Sequence, residues 1–320
     1  MNALLAGLVS MATTVAASPV AIRVATRFGI VDHPGRAKPQ TRPVPYLGGI
    51  AVLFGLTIPI TIARPAALLP AALALGLGLA DDVRDLPPIG RLAAEVVIGV
   101  VTASLFPTTL PEPLGFIAVT IAVVALINAV NLIDGLDGLA SSVVFLAAVG
   151  FAIVLDGPDR VVAAALAGAL AGFLVFNRPP ARVYLGDAGS YLLGTLAAVL
   201  LAMAWASGRP AATGIGSLLL VVVPAADLAV SVVRRLRSRA PLFTSDRGHI
   251  YDQLVGRAWT PASVTIAFAG AQAVLVAAAV CASLLEPGPA LLVVVVTLLA
   301  VAVAIVSSGF VTFRSPDGQS

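Results

Sequence analysis

The chain has 320 residues, of which 59% are hydrophobic and only 11% are charged, and its formal net charge is +3. A soluble domain carries about 25% charged residues, so this composition excludes an ordinary soluble globular protein. The single cysteine, Cys281, excludes a disulfide framework.

Apolar segments recur from one end of the chain to the other. Runs of about 17 to 25 apolar residues can cross a bilayer as helices, and these runs do not alternate as the strands of a β-barrel would. The first run lacks the preceding positive charge of a signal peptide, so we read it as a membrane helix. We predict an all-α polytopic membrane protein with about eleven transmembrane helices, forming one integral membrane domain over residues 1–320. The predicted segments are 3–22, 46–63, 66–80, 91–106, 115–130, 139–155, 160–176, 188–206, 213–233, 262–284 and 288–311.

The basic residues divide unevenly between the two sides of this arrangement. Only Arg64, Arg160 and Arg209 fall on one side, and the other sixteen of the 19 Lys and Arg residues fall on the opposite side. Because cytoplasmic loops carry the excess of Lys and Arg, we expect the N-terminus outside and the C-terminus in the cytoplasm. Most acidic residues cluster in the cytoplasmic loops, beside small residues.

The first two cytoplasmic loops hold candidate phosphate and metal ligands. In the first, "VDHPGRAKPQTRPVPYLGG", Lys38 and Arg42 either anchor the loop to anionic headgroups or bind phosphate. In the second, "LADDVRDLPP", Asp81 and Asp82 end an apolar run. Two adjacent carboxylates at a membrane boundary repel each other, and either a bound Mg²⁺ or hydration of the helix end relieves that repulsion.

The third loop contains the stretch "NAVNLIDGLDGLA", which has polar residues at every third position. At helical spacing, Asn128, Asn131 and Asp134 share one face. Gly135 and Gly138 then allow the backbone to approach a ligand closely. A plain helix end with a glycine cap accounts poorly for so many polar residues in register.

The fourth and fifth loops add a helix start and a basic cluster. In "VYLGDAGS", Asp187 lies at a helix N-terminus suited to an anion or a metal–phosphate, and Tyr184 either stacks on a base or anchors at the interface. The fifth loop, residues 234–260, contains Arg247 and His249, and Asp227 lies in the apolar run before it. Carboxylates, arginines and glycines on one face of a helical bundle indicate phosphoryl chemistry with a divalent cation.

These motifs, in this order, resemble the polyprenyl-phosphate N-acetylhexosamine-1-phosphate transferases, a group within glycosyltransferase family 4. The resemblance is carried by "LADDVRD", "NAVNLIDGLDGLA", "VYLGDAGS" and "PAADLAVSVVRRLRSRAPLFTSDRGHIYDQL", and it extends from about Asp32 to Leu254. It implies transfer of a sugar-1-phosphate from a UDP-N-acetylhexosamine, of which UDP-GlcNAc is the expected one, to a polyprenyl phosphate with release of UMP. It also implies a Mg²⁺ cofactor, with Mn²⁺ as the alternative ion, and a cytoplasmic-face site in a bacterial inner membrane.

The resemblance assigns roles residue by residue. The implied catalytic residues are Asp81 and Asp82, one of them a base for the lipid phosphate, with Asp134 and His249. The implied substrate-binding residues are Lys38, Asn128, Asn131, Asp137, Asn177, Tyr184 and Arg247. Asp187 is the implied metal ligand. Asp137 and Asn177 are expected at the nucleotide, and Tyr184 against uracil.

Two departures from the family pattern bear on specificity. The histidine signature reads His249-Ile250-Tyr251-Asp252, so its later histidines are missing, and the first loop has Ala37 and Gln40 where Arg and His are usual. The absence of a triple-histidine run favours the WecA-like branch over the MraY-like branch, which uses UDP-MurNAc-pentapeptide. There are four alternatives to a WecA-like enzyme: an MraY-like enzyme, a non-catalytic lipid-binding homologue, a transporter and a CDP-alcohol enzyme.

The expected partners are the two substrates and membrane lipid, with no nucleic acid. Gly168 and Gly172 permit close helix packing either within the chain or in a homodimer, and we favour packing within the chain.

Overall fold

The computed structural model describes residues 1–34, 42–206, 208–241 and 248–312. Two predicted site residues, Lys38 and Arg247, lie outside these ranges. The helices are α1 Ala3–Phe28, α2 Gly48–Ala63, α3 Leu68–Arg84, α4 Pro88–Leu105, α5 Leu114–Ile133, α6 Leu139–Val154, α7 Gly157–Asn177, α8 Gly186–Ala204, α9 Ala211–Ser217, α10 Val222–Ser238, α11 Ile250–Gly256, α12 Pro261–Ser283 and α13 Pro287–Ser307. A short antiparallel ladder joins β1 Val31–Asp32 to β2 Val44–Pro45, which the sequence patterns did not predict.

Within the described residues, nine helical segments are long and apolar enough to cross a membrane. One of them, Ala211–Ser238, combines α9, a 3-10 turn at Leu218–Val221 and α10. Two shorter apolar helices, α2 and α6, have 16 residues each. Every predicted apolar segment overlaps one of these helices, which confirms the helical membrane class. The number of eleven crossings and the orientation of the termini stay predictions.

Helix α8 occupies the centre of the bundle. Its side chains from Ala188 to Ala204 are all buried, and α2, α3, α5 and α9 pack around it. The packing is close because glycines meet backbone: a Cβ on Gly49 would lie 2.5 Å from Gly189 Cα. Small residues at such contacts let membrane helices approach each other where no hydrophobic force drives association. The site residues at the start of α8 are therefore held by a rigid core.

The contact between α1 and α7 accounts for the glycine pair of α7. A Cβ on Gly168 would overlap the backbone of Gly7, and one on Gly172 would lie 2.6 Å from the Met11 carbonyl oxygen. Both glycines therefore serve packing within the chain, as predicted. The homodimer stays a prediction.

Candidate active site

Carboxylates from separate helices meet at the end of the bundle where α3 and α5 end and α8 begins. We call this region, defined by Asp81, Asp82, Asp134, Asp137 and Asp187, the acidic end. Asp82, in the last turn of α3, accepts hydrogen bonds from the backbone N–H groups of Asp187 at 3.0 Å and Ala188 at 3.1 Å. A carboxylate at a helix N-terminus satisfies amides that have no partner within the helix and interacts favourably with the helix dipole. This contact brings the acidic pair of α3 to the predicted metal ligand.

The absence of a side chain at Gly186 allows Asp82 to reach the start of α8. Its φ of +71° lies in the left-handed region that favours glycine. A Cβ there would lie 2.6 Å from the Tyr46 carbonyl oxygen and 2.9 Å from Asp82 Oδ2. The glycine of the "GDAGS" motif is therefore required by the turn and by the neighbouring carboxylate together.

Asp134 follows the last residue of α5 and faces the same cluster. Burial raises the pKa of the Asp134 carboxyl well above its usual range, and the nearby carboxylates of Asp187, Asp82 and Asp137 raise it further. Mutual repulsion of this kind requires that the side chains lie close to one another. The contact between Asp82 and the start of α8, together with this electrostatic coupling to Asp134, supports the prediction that Asp82, Asp134 and Asp187 share one site, which stays a prediction.

Asp81, the other member of the pair, points into the protein. Its carboxylate accepts hydrogen bonds from the Tyr191 hydroxyl, from the Leu86 N–H at 2.8 Å and from Arg91 Nη1 at 3.4 Å. With both oxygens engaged and its side chain buried, Asp81 holds α3, α4 and α8 together. Asp82 instead binds the backbone amides at the start of α8, so the two members of the pair have different partners.

The two asparagines of α5 face different neighbours. Asn131 accepts a hydrogen bond from the Ser190 hydroxyl at 2.9 Å, which places it beside the start of α8. Asn128, one turn deeper, donates to the buried carboxylate of Glu95 on α4 at 2.5 Å. Arg91 lies 3.7 Å from the same carboxylate, the helical i,i+4 pair expected from their spacing. Asn131 thus lies next to the acidic end, whereas Asn128 binds Glu95 one helical turn away from it.

Asp137 and Tyr184 connect the loop after α5 with the segment before α8. Asp137 Oδ2 accepts a hydrogen bond from the Ala181 N–H at 2.8 Å. The Tyr184 backbone bridges the ladder and α2, since its N–H donates to the Pro45 carbonyl at 2.8 Å and its carbonyl accepts from the Gly48 N–H at 3.0 Å. Burial raises the pKa of the Tyr184 phenol, and Asp137 raises it further, so the ring stays neutral. A neutral aromatic ring beside the acids is compatible with stacking on a base.

Asn177, at the end of α7, is buried and fully engaged within the protein. It accepts from the Ser141 hydroxyl at 2.8 Å and donates to the Val183 carbonyl at 2.9 Å. These bonds shape the segment that carries Tyr184. In this structure Asn177 therefore contributes to the site indirectly, by holding that segment in place.

His249 approaches the acidic end from the other side, on the turn before α11. Its Nδ1 lies 2.7 Å from Asp227 Oδ2 of α10, and its ring stacks on Tyr251 with centroids 5.5 Å apart. The Tyr251 phenol packs against Gly135, where a Cβ would overlap it. This chain of contacts places His249 beside the loop that separates Asp134 from Asp137.

At the opposite end of the bundle, the acidic side chains form ion pairs with arginines. There Asp159, buried at the start of α7, pairs with Arg64 at 2.6 Å and with Arg209 at 2.5 Å, and Arg209 also pairs with Asp156 at 2.8 Å. At the acidic end, no described Arg or Lys forms an ion pair with Asp82, Asp134 or Asp187. Among the described residues these three carboxylates therefore lack an ion-paired Arg or Lys, although the charge of Arg91 acts on Asp187 from a distance.

The donor set at the acidic end fits Mg²⁺ in one specific way. Within the described residues, no group of three or more His, Cys, Asp or Glu side chains is arranged to hold a metal ion by itself. Mg²⁺ commonly takes only one or two protein carboxylates and completes its shell with water and substrate phosphates. Asp187 with a neighbouring carboxylate matches that pattern.

Several contributing residues have no signal of their own in the sequence. Tyr191 and Ser190 contact the site from positions that follow the "GDAG" motif directly, and their proximity to that motif was the available hint. The pairing of Glu95 with Asn128 joins residues 33 positions apart on different helices. Only the folded arrangement shows that contact.

Sequence comparisons relate the chain to known proteins. Residues 65–205 match the model of the family described as glycosyl transferase family 4. The undecaprenyl-phosphate alpha-N-acetylglucosaminyl 1-phosphate transferase of Escherichia coli is 29% identical over 306 residues, which cover 87% of this chain and 83% of that protein. The enzyme of the same name from Yersinia pestis is 27% identical, over 75% of this chain and 73% of that protein.

A further relative is the decaprenyl-phosphate N-acetylglucosaminephosphotransferase of Mycobacterium tuberculosis. It is 27% identical over 305 residues, covering 78% of this chain and 75% of that protein. The resemblance predicted from the motifs is thereby confirmed: residues 65–205 match glycosyl transferase family 4, and most of the chain is similar to polyprenyl-phosphate N-acetylglucosamine-1-phosphate transferases.

Proposed function

We propose that this protein transfers N-acetylglucosamine-1-phosphate from UDP-N-acetylglucosamine to a polyprenyl phosphate and releases UMP, as the first membrane step in building a cell-envelope glycan. The observation that carries the proposal is the group of Asp82, Asp134 and Asp187 at the acidic end, with which no described Arg or Lys forms an ion pair. The names of the relatives support the sugar and the lipid carrier.

In the proposed reaction, a phosphate oxygen of the lipid attacks the β-phosphorus of the sugar nucleotide. The bond from that phosphorus to the bridging oxygen breaks, and UMP leaves with the bridging oxygen. When bound, Mg²⁺ would neutralise charge on the diphosphate and on the departing UMP. The protein's part is positioning and electrostatics, as is general for phosphoryl transfer.

Each residue of the acidic end has a distinct proposed task. Asp187 and one neighbouring carboxylate hold the cation. Asp82, fixed by two backbone N–H groups, orients the lipid phosphate and accepts its proton. Asn131, beside the start of α8, hydrogen-bonds the sugar phosphate. These assignments describe a single displacement, and a phosphorylated Asp82 trapped after donor is added without lipid would replace it with a two-step route.

The nucleotide is proposed to bind next to the segment that leads into α8. Tyr184 presents a neutral ring for the uracil, and Asp137 lies beside it. Lys38 and Arg247, outside the described residues, are proposed to reach the phosphates from the first and fifth loops. The lipid tail lies between helices within the membrane.

The proposal includes an orientation in the membrane. We infer eleven crossings of a bacterial inner membrane, with the N-terminus outside and the acidic end at the cytoplasmic face, where sugar nucleotides occur. Reporter fusions after Phe28 and after Ala63 test this, because the two positions are expected on opposite sides. The reporter after Phe28 is expected to read the cytoplasm and the one after Ala63 the exterior, so the reverse assignment, or the same side at both positions, would contradict the orientation.

The decisive experiment measures exchange of labelled UMP into UDP-sugars by the purified protein with polyprenyl phosphate and Mg²⁺. The donors are UDP-GlcNAc, UDP-GalNAc and UDP-MurNAc-pentapeptide. We expect exchange with UDP-GlcNAc, its loss on chelation of the metal, and its loss in Asp187→Asn. Asp156→Asn, the same change at the opposite end on a side chain that is 81% exposed, serves as the matched control. Absence of exchange with every donor would refute the proposal and favour a non-catalytic lipid-binding protein.

A further inference from the structure

Asp227 is a fully buried carboxylate in the middle of α10 that the proposed reaction does not use. Its exposed fraction is 0%, and charged side chains within membrane helices are rare unless they are paired. Both of its oxygens are occupied by residues 22 and 23 positions further along the chain. Oδ2 lies 2.7 Å from His249 Nδ1, and Oδ1 accepts the Ile250 N–H at 2.7 Å. One side chain therefore fixes both the His249 ring and the start of α11.

The chemistry of the pair determines which ring nitrogen carries the proton. An ionised carboxylate can only accept hydrogen bonds, so Nδ1 must donate to Asp227. The Ser231 hydroxyl lies 3.1 Å from the same nitrogen and can adapt to either arrangement. Nε2, on the far edge of the imidazole, takes no part in these bonds. It is then the nitrogen that remains for a substrate phosphate.

We infer that Asp227 is a positioning residue for the proposed transferase reaction. It holds the His249 ring in the tautomer protonated on Nδ1, which leaves Nε2 as the unprotonated nitrogen available to a substrate. The inference rests on the proposed function for its kinetic part only, because the tautomer is a property of the protein without substrate. The Tyr251 ring, stacked at an interplanar angle of 5°, keeps the imidazole plane parallel to its own.

The substitution Asp227→Asn distinguishes loss of the His249 tautomer from loss of the structure at the start of α11. If Oδ1 of the new amide accepts the Ile250 N–H as before, the α11 start is retained. The amide NH₂ group then faces Nδ1, which must accept, and the ring is forced into the Nε2-protonated tautomer. In a serine protease triad, the same exchange of aspartate for asparagine beside a histidine leaves the geometry intact and lowers kcat by about 10⁴-fold.

The test uses ¹⁵N NMR of the full-length protein in detergent, with kinetics of UMP exchange alongside. The chain has only two histidines, so His33→Gln, which replaces an exposed residue, leaves His249 as the single labelled imidazole. In this background we expect a protonated Nδ1 and an unprotonated Nε2, and the reverse in Asp227→Asn. We expect kcat to fall by about 10²-fold or more, with KM for the sugar nucleotide changed by less than about threefold. Asp156→Asn is the control, with spectrum and kcat unchanged.

Three outcomes would overturn the inference. The first is a protein with unaltered Asp227 whose His249 carries its proton on Nε2. The second is Asp227→Asn with unchanged ¹⁵N shifts, whatever its activity. The third is a reversed tautomer with unchanged kcat. If Asp227→Asn does not fold, the spectrum of the protein with Asp227 still decides the tautomer. Absence of all exchange activity would refute the proposed function instead and leave the tautomer measurement in force.

Discussion

Gly78, on the face of α3 that meets α8, offers a sharp test of the acidic end because it touches no substrate. A Cβ at this position would lie under 3.0 Å from backbone atoms of Ala188 and from the Asp187 carbonyl oxygen. Non-bonded carbon atoms settle at about 3.5 Å or more. Since the obstacle is backbone, Gly78→Ala must push α3 and α8 apart by more than about half an ångström.

That displacement acts directly on the site. Asp82 lies one helical turn after Gly78, and its bonds to the amides of α8 are 3.0 and 3.1 Å long. Lengthening them by half an ångström or more takes both beyond ordinary hydrogen-bond range. Hydrogen bonds to a charged group contribute about 1.5–3 kcal/mol each, and the higher helix propensity of alanine returns about 1 kcal/mol. We expect a net loss of about 2–5 kcal/mol of stability and a fall in turnover of about 10²-fold.

The assay measures UMP exchange and thermal unfolding on the same detergent-purified samples. Gly76→Ala is the control, because it makes the same substitution on the same helix where a Cβ would meet nothing within 4 Å. We expect its turnover to stay within about twofold and its melting temperature to be equal or higher. Equal turnover for Gly78→Ala and Gly76→Ala would refute the role assigned to the contact between Asp82 and the start of α8.

Three further predictions concern charge. Because the folded pKa of Asp134 is raised above 3.8, the folded state binds more protons than the unfolded state in the pH range above that value, so stability falls as pH rises there. Asp134→Asn is expected to flatten this fall and to raise the melting temperature at neutral pH while abolishing exchange; a lower melting temperature would contradict it. Mg²⁺ is expected to stabilise the unaltered protein by about 2.7 kcal/mol at a hundredfold excess over Kd, and Asp187→Asn should lose most of that shift in calorimetry. Arg209→Ala leaves the buried Asp159 with Arg64 alone, so we expect about 2–4 kcal/mol of destabilisation in denaturant unfolding, with KM unchanged. Loss of activity without loss of stability would contradict this structural role and indicate that Arg209 acts in the reaction.

The helical framework and the acidic motifs were predictable from the sequence because both depend on local pattern. Continuous apolar runs identify membrane helices, and Asp187 beside glycines identifies a helix start suited to anions. The division of labour between Asp81 and Asp82 was not predictable. Successive residues on a helix point about 100° apart. Which of the two faces Tyr191 and which faces the amides of α8 depends on how α3 and α8 pack.

The role of Asp227 illustrates the same limit at longer range. Its position inside an apolar run indicated only that it must be paired or functional. Its partner follows 22 residues later, within the fifth loop, at the start of a separate helix. No periodicity relates residues on two elements joined by a loop, so the identity of the partner is a property of the tertiary structure.

The two ends of the bundle hold their acidic side chains in different ways. At the opposite end, Asp159 has two arginines within 2.6 Å, so its charge serves to fasten α7 to neighbouring loops. At the acidic end, the amides of α8 bind Asp82, and no described arginine or lysine forms an ion pair with Asp134 or Asp187, so ionisation of either carboxyl places like charges close together. Keeping such charges close lowers the stability of the folded protein unless something else binds there. A site that becomes favourable only when a cation and a diphosphate occupy it is what a transferase of this kind requires.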